Sequence, residues 1–150
     1  MSERQSVYQT KWSRKPKKGK TPMQIEYEDQ CALFRWRDEM VKSISELALL
    51  NASLNGVRLT IGQAVKAKKM GMSRGFPDIF LPVPRGEYNG LFIELKALPY
   101  VNQDGKKVVP RLSAEQEEWL IALKQQGYNA VVCRGFDEAR KTILGYLMGV

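Results

Sequence analysis

The segment Leu91-Phe-Ile-Glu94-Leu-Lys96-Ala97 constrains the chain more than any other. A strand covered by helices on both sides reads as unbroken apolar sequence, and this one does so apart from two charges. By the two-residue period of a strand, Leu91, Ile93, Leu95 and Ala97 share one face, which buries against helices, while Phe92, Glu94 and Lys96 share the other. Glu94 and Lys96 then stand side by side, roughly 6 to 7 Å apart at the backbone from two residues of strand rise. Charge withdrawn from water is costly unless it is paired or bound to a metal. Asp78 repeats the anomaly at the start of a second apolar strand, Ile79-Phe-Leu-Pro-Val83, which a turn rich in Pro, Arg and Gly joins to the first. If the two strands pair as a hairpin, Asp78 and Glu94 converge on one cation.

The flanking sequence supplies the helices that such a strand needs. Thr21-Pro22-Met23-Gln24 is a capping box with proline at the first helical position. It opens a helix to about residue 43, with Ala32, Leu33, Trp36 and Met40 on one face. Leu50, Ala52 and Leu54 alternate with polar residues ahead of Asn55-Gly56, the pattern of a half-buried strand and a turn. Leu47 to Leu50 fit the end of the preceding helix equally well. Thr60-Ile-Gly-Gln63 opens a short helix closed by Gly71, on which Lys66, Lys68 and Lys69 form a basic surface. Residues 99–111 contain Asn102-Gln-Asp-Gly105 and read as a loop or irregular hairpin. A third capping box, Ser113-Ala-Glu-Gln116, opens a helix to Gln126 that ends at Gly127. Asn129 to Cys133 is a short strand and Phe136 to Met148 an amphipathic helix. The order α β α β β α β α predicts an α/β fold, a mixed sheet flanked by helices, occupying residues 21–150.

Residues 1–20 are polar, with six cations in the ten residues from Lys11 to Lys20, and read as a flexible basic arm. Across the chain, 24 Lys and Arg face 16 Asp and Glu, a net charge of +8 that suggests a polyanionic partner, nucleic acid before anionic membrane. No apolar run approaches the ~20 residues that span a bilayer. Nor is the basic N-terminus a signal peptide, so an intracellular chain without a membrane partner is expected. Cys31 and Cys133 make neither a disulfide framework nor a zinc cluster. The chain has no histidine, which removes Ser-His-Asp catalysis, HNH-type nucleases, two-histidine phosphodiesterases and most catalytic zinc sites. Chemistry must rest on carboxylates and lysine, with or without a metal.

Pro77-Asp78, fifteen residues, then Glu94-Leu95-Lys96 suits one reaction well. Phosphodiester hydrolysis needs a nucleophilic water, neutralisation of phosphorane-like charge and support for the leaving oxygen. A divalent cation on oxygen ligands meets all three needs, and a nearby lysine stabilises charge and helps deprotonate the water.

The run Gly71-Met-Ser-Arg-Gly75-Phe-Pro-Asp78, followed by Gly90-Leu-Phe-Ile-Glu94-Leu-Lys96, resembles the virus-type replication-repair nuclease (VRR-NUC) domain, a branch of the PD-(D/E)XK superfamily. Glu26-Tyr-Glu-Asp-Gln30 with Trp36, Asn55-Gly56 with Arg58, Leu112-Ser113 with Gln116 and Trp119, and Gly127-Tyr128 extend the resemblance over roughly residues 24–148. It implies a restriction-endonuclease-like fold and Mg²⁺- or Mn²⁺-dependent DNA cleavage. It implies Asp78 and Glu94 as metal ligands with the Leu95 carbonyl as a third, and Lys96 as the catalytic lysine. Glu26 becomes the acid of the first helix, binding metal directly or through water, and Gln30 lies one turn on along the same face. Glu28 and Asp29 lie beside Glu26, and a shift of register would exchange their roles. Gln116 would touch the lysine, the water or the phosphate, or serve only its capping box. Arg58, Lys66, Lys69 and Arg74 are candidates for holding DNA phosphates. Trp36 and Trp119 read as core rather than base-stacking residues.

The expected partner is branched DNA, with the chain acting as a homodimeric four-way (Holliday) junction resolvase in the cytoplasm of a bacterial or phage-infected cell. Two opposed cuts require two sites, and one chain carries one. The last helix offers Ile143, Leu144, Tyr146, Leu147 and Met148 to divide between the sheet and a partner copy. A restriction-type or flap endonuclease and a non-catalytic DNA-binding module on the same fold are the alternatives.

Overall fold

A computed structural model of the chain describes residues 19–149. Of the arm, only Gly19 and Lys20 fall within them; the basic arm otherwise lies outside the described residues. Helix α1 (Pro22–Met40) starts at the expected capping box on Thr21 and ends at Val41. A 3₁₀ helix (Ser45–Leu49) leads into β1 (Asn51–Ala52), followed by α2 (Ile61–Lys69), β2 (Ile79–Leu81) and β3 (Leu91–Lys96). A small hairpin of β4 (Tyr100–Val101) and β5 (Lys107–Val108) precedes α3 (Ala114–Gln125), β6 (Asn129–Arg134) and α4 (Gly135–Met148).

The main sheet has the order β1-β2-β3-β6. β2 is antiparallel to β1 and β3, and β6 is parallel to β3, so the sheet is mixed. The parallel pair forces the chain to cross over between β3 and β6, and α3 lies on that crossover. On one face, Leu91, Ile93 and Leu95 meet Ile79 and Leu81 from β2, Leu33 from α1, and Ala139 and Ile143 from α4. On the other, Phe92 stacks on Phe80 and meets Phe76 edge-on, and Phe76 in turn meets Trp119 of α3. Trp36 packs on the core, as expected of it.

Several boundaries differ from the sequence reading, each for a local reason. The first helix stops at Met40, whose carbonyl accepts from both Ser43 and Ile44. The strand expected over Leu50–Leu54 shrinks to two residues, with Leu50 buried and Leu54 exposed. Leu47 to Leu50 belong neither to that strand nor to α1, because the 3₁₀ turn intervenes. β2 ends at Leu81 because Pro82 and Pro84 carry no N–H for the ladder. Ile143 and Tyr146 are buried, Leu144 and Leu147 half-buried, and the Tyr146 hydroxyl donates to the Val83 carbonyl at 2.6 Å. Of the five apolar residues named for α4, Ile143 and Tyr146 join the core and only Met148 is exposed.

Candidate active site

The register of β2 against β3 builds the site. Ile79 lies opposite Ile93, so Pro77 falls opposite Leu95, where it has no N–H to donate and the ladder stops. Two β3 donors past that point are taken by carboxylates instead. Leu95 N–H donates to Asp78 Oδ2 at 2.8 Å, and Ala97 N–H donates to Glu26 Oε1 at 3.1 Å. The end of a strand thus draws an acid from β2 and an acid from α1 to the same edge.

Glu94 and Lys96 leave β3 on this side and are 2% and 8% exposed. Lys96 Nζ lies 3.1 Å from Glu94 Oε1, and Gln116 Nε2 donates to that same oxygen at 2.6 Å. The two readings of Gln116 are not alternatives, because its Oε1 accepts from Ser113 N–H at 2.9 Å and closes the capping box of α3. One amide caps a helix with its oxygen and holds a buried carboxylate with its nitrogen.

Burial and crowding of like charge perturb every acid here. Glu94 is pushed up to about 8, first by desolvation and then by the Asp78 charge, with Lys96 pulling the other way. Asp78 and Glu26 are also raised by desolvation, offset in part by the Leu95 and Ala97 N–H groups. Asp78 is half-buried beside the buried Glu94, and its charge is felt there. Two neighbouring carboxyl groups so placed share a proton or a cation, and an all-oxygen pair suits a hard divalent ion. Among the described residues, no three His, Cys, Asp or Glu side chains stand arranged to hold a metal ion. A cation on the pair would therefore complete its shell from carbonyl oxygen and water, as Mg²⁺ commonly does.

These groups line a cleft of about 780 Å³. The cleft also takes in Gln30, Arg58 and Arg74, but not Lys66 or Lys69, which are exposed on α2. Of the neighbouring acids Glu26, Glu28 and Asp29 on α1, Glu26 alone lines it, while Glu28 pairs with Lys20. Sequence reasoning missed Gly75. With φ +83°, it presses the loop before Asp78 onto the start of α3, where an added Cβ would lie 2.7 Å from the Glu115 carbonyl carbon. Two further bonds hold this loop: Asn55 Nδ2 donates to the Phe76 carbonyl at 3.1 Å, and Trp119 Nε1 to the Arg74 carbonyl at 3.2 Å. Glycine one residue past Arg74, ahead of Phe-Pro-Asp, was the available signal.

The VRR-NUC domain family matches residues 20–137. The chain belongs to that family. VRR-NUC domains are nucleases of the PD-(D/E)XK superfamily, and the mixed sheet flanked by helices is the fold expected from the resemblance. A solved structure named as a VRR_NUC domain protein is similar to this VRR-NUC chain, with a TM-score of 0.63 and 25% identity, over 83% of this chain and 88% of that one. Among curated proteins no sequence matches. No helix among the described residues of this VRR-NUC domain is long and apolar enough to cross a membrane.

Proposed function

We propose that the chain is a Mg²⁺- or Mn²⁺-dependent DNA endonuclease that cuts branched DNA. The observation that carries the reading is the buried Glu94–Lys96 pair with half-buried Asp78 beside it, a concentration of ionisable groups that adds nothing to the core and lies open to a large cleft. When bound, the cation supplies an activated water and a counter-charge for the phosphate. Asp78, Glu94 and the Leu95 carbonyl would hold it, with Glu26 acting directly or through water. Lys96, anchored on Glu94, offsets charge at the scissile phosphate and steadies the attacking water. Gln116 keeps the Glu94 carboxylate in one orientation. Arg58 and Arg74 receive flanking phosphates, while Lys66 and Lys69 contact DNA only where it extends past the cleft.

Plasmid nicking in Mg²⁺, Mn²⁺ and EDTA tests this reading. Asp78→Asn and Lys96→Ala should each remove more than 90% of the rate, a barrier change above ~1.4 kcal/mol, while retaining DNA binding. Cleavage that persists in EDTA, or in both variants, refutes the site. A non-catalytic DNA-binding module would shift the plasmid without nicking it.

Paired cuts across a four-way junction need two copies. The surface that favours a homodimer lies around α2. This helix has no buried residue, and Leu54, Val57, Ile61, Val65 and Met70 are exposed in and beside it. A helix this short is marginal in water without packing. Light scattering of the wild type and of Ile61→Glu/Val65→Glu should show a dimer and a monomer. A wild type that is monomeric at micromolar concentration and prefers flaps to junctions overturns junction resolution.

A further inference from the structure

We propose that Tyr27, together with Met23, is a stacking platform for an unpaired base next to the scissile phosphate, so that the cleft selects nucleotides splayed from a duplex over paired ones. The proposal rests on the nuclease reading and names the feature of the substrate that the site recognises.

The walls of the cleft differ in chemistry. Arg58, Arg74 and Lys96 are the cations that line it, Lys96 at the carboxylates and the two arginines on the loops outside α1. The α1 wall contributes Met23, Glu26, Tyr27, Gln30 and Cys31, with no cation among them. Residues three and four apart share a helix face, so this one face carries both the Glu26 carboxylate, bonded to the edge of β3, and the Tyr27 side chain beside it. Tyr27 is 70% exposed and Met23 62% exposed, although both line the cleft. Farther along the same helix, Ala32 and Leu33 enter the core. The exposure is therefore local to the turns beside the catalytic groups.

A nucleotide offers two surfaces, an anionic backbone and an apolar base face. The backbone goes to the arginines and the cation, and on α1, which offers no cation, the exposed surface beside Glu26 is that of Met23 and Tyr27. Bases stack on aromatic rings without regard to sequence, because every base has a π-face. In an intact duplex both faces of a base are already covered by its neighbours, so a ring beside the scissile phosphate meets a base only where pairing is interrupted. A branch point is such a place. The cleft volume of about 780 Å³ lies within the range of pockets that bury a small ligand, so it has room for a nucleotide.

The test uses the full-length chain, a four-way junction and a matching linear duplex, each with 2-aminopurine beside the cut position. Tyr27→Ala should lower cleavage of the junction about tenfold more than cleavage of the duplex, the scale of one base–aromatic stack. Tyr27→Phe should keep the preference. In Ca²⁺, the 2-aminopurine of the junction complex should be brighter with Tyr27→Ala than with the wild type. If Tyr27→Ala slows both substrates equally, or Tyr27→Phe matches it, the platform is wrong while the nuclease reading stands. If the wild type neither binds nor cuts either DNA, the nuclease reading falls and the platform with it.

Discussion

Replacing Glu94 by glutamine should remove the largest part of the pH dependence that the site gives to the stability of the cation-free protein. In the folded chain the Glu94 carboxyl is raised from 4.5 to about 8. A group that binds its proton more tightly when folded contributes stability that is fully present below the unfolded value. That contribution is lost as pH rises through the folded value. The wild type should therefore weaken steadily between about pH 4.5 and pH 8 and level off above. At ~1.4 kcal/mol per pH unit, the whole interval corresponds to on the order of 5 kcal/mol as an upper bound. Glu94 titrates together with Asp78, which raises it, and Lys96, which lowers it, and the proton lost is shared among them, so about 2 kcal/mol or more of pH-dependent difference is the expected minimum. Glutamine keeps the shape and an acceptor for Gln116 and has no proton to lose. Urea unfolding in EDTA at pH 5 to 9 reads the difference directly: the profiles of wild type and Glu94→Gln should diverge as pH climbs to about 8. Adding Mg²⁺ should stabilise the wild type more at pH 8 than at pH 6, because the cation competes with the proton, and should do little for the variant. Parallel profiles of the two metal-free proteins between pH 5 and pH 8 would refute the argument that Glu94 is held protonated by burial and by Asp78.

Gly75→Ala should be destabilised by about 1–3 kcal/mol and should lose cleavage. The new Cβ at φ +83° would meet the Glu115 carbonyl carbon at 2.7 Å and Gln116 N at 2.9 Å, and either Asp78 or Gln116 must move. An unchanged urea midpoint with full activity would show the approach to be slack. Ca²⁺ should support DNA binding with little turnover, since it fits oxygen ligands but tolerates looser geometry than Mg²⁺; turnover in Ca²⁺ equal to that in Mg²⁺ contradicts this. Removing residues 1–18 deletes five of the six clustered cations and leaves Lys20 on Glu28. It should shrink the dependence of DNA affinity on salt by about 0.9 in logarithmic slope for each phosphate that the arm neutralises, with cleavage chemistry retained. An unchanged slope makes the arm a bystander.

Local sequence carried much of this protein in plain view. The alternation over Leu91–Ala97 separates core from site on a single strand, and three capping boxes mark the true starts of α1, α2 and α3. Asp78, Glu94 and Lys96 stand out in the sequence because charge inside an apolar strand demands compensation. Periodicity says which residues share a face, but it cannot say what that face meets. The choice of Glu26 over Glu28 depends on the end of β3, where the Ala97 N–H lies past the reach of β2 and needs an acceptor. The second role of Gln116 depends on α3 starting close enough to β3 for its Nε2 to reach Glu94 Oε1 at 2.6 Å, and Gly75 permits the loop before Asp78 to press against that same helix start. The apolar stripe of α4 suits a partner copy as well as it suits a sheet, until β3 and β6 pair in parallel and give it a sheet to cover. Each outcome turns on contact between segments far apart in the chain, and only the closed sheet, with Pro77 ending one ladder opposite Leu95, brings those segments together.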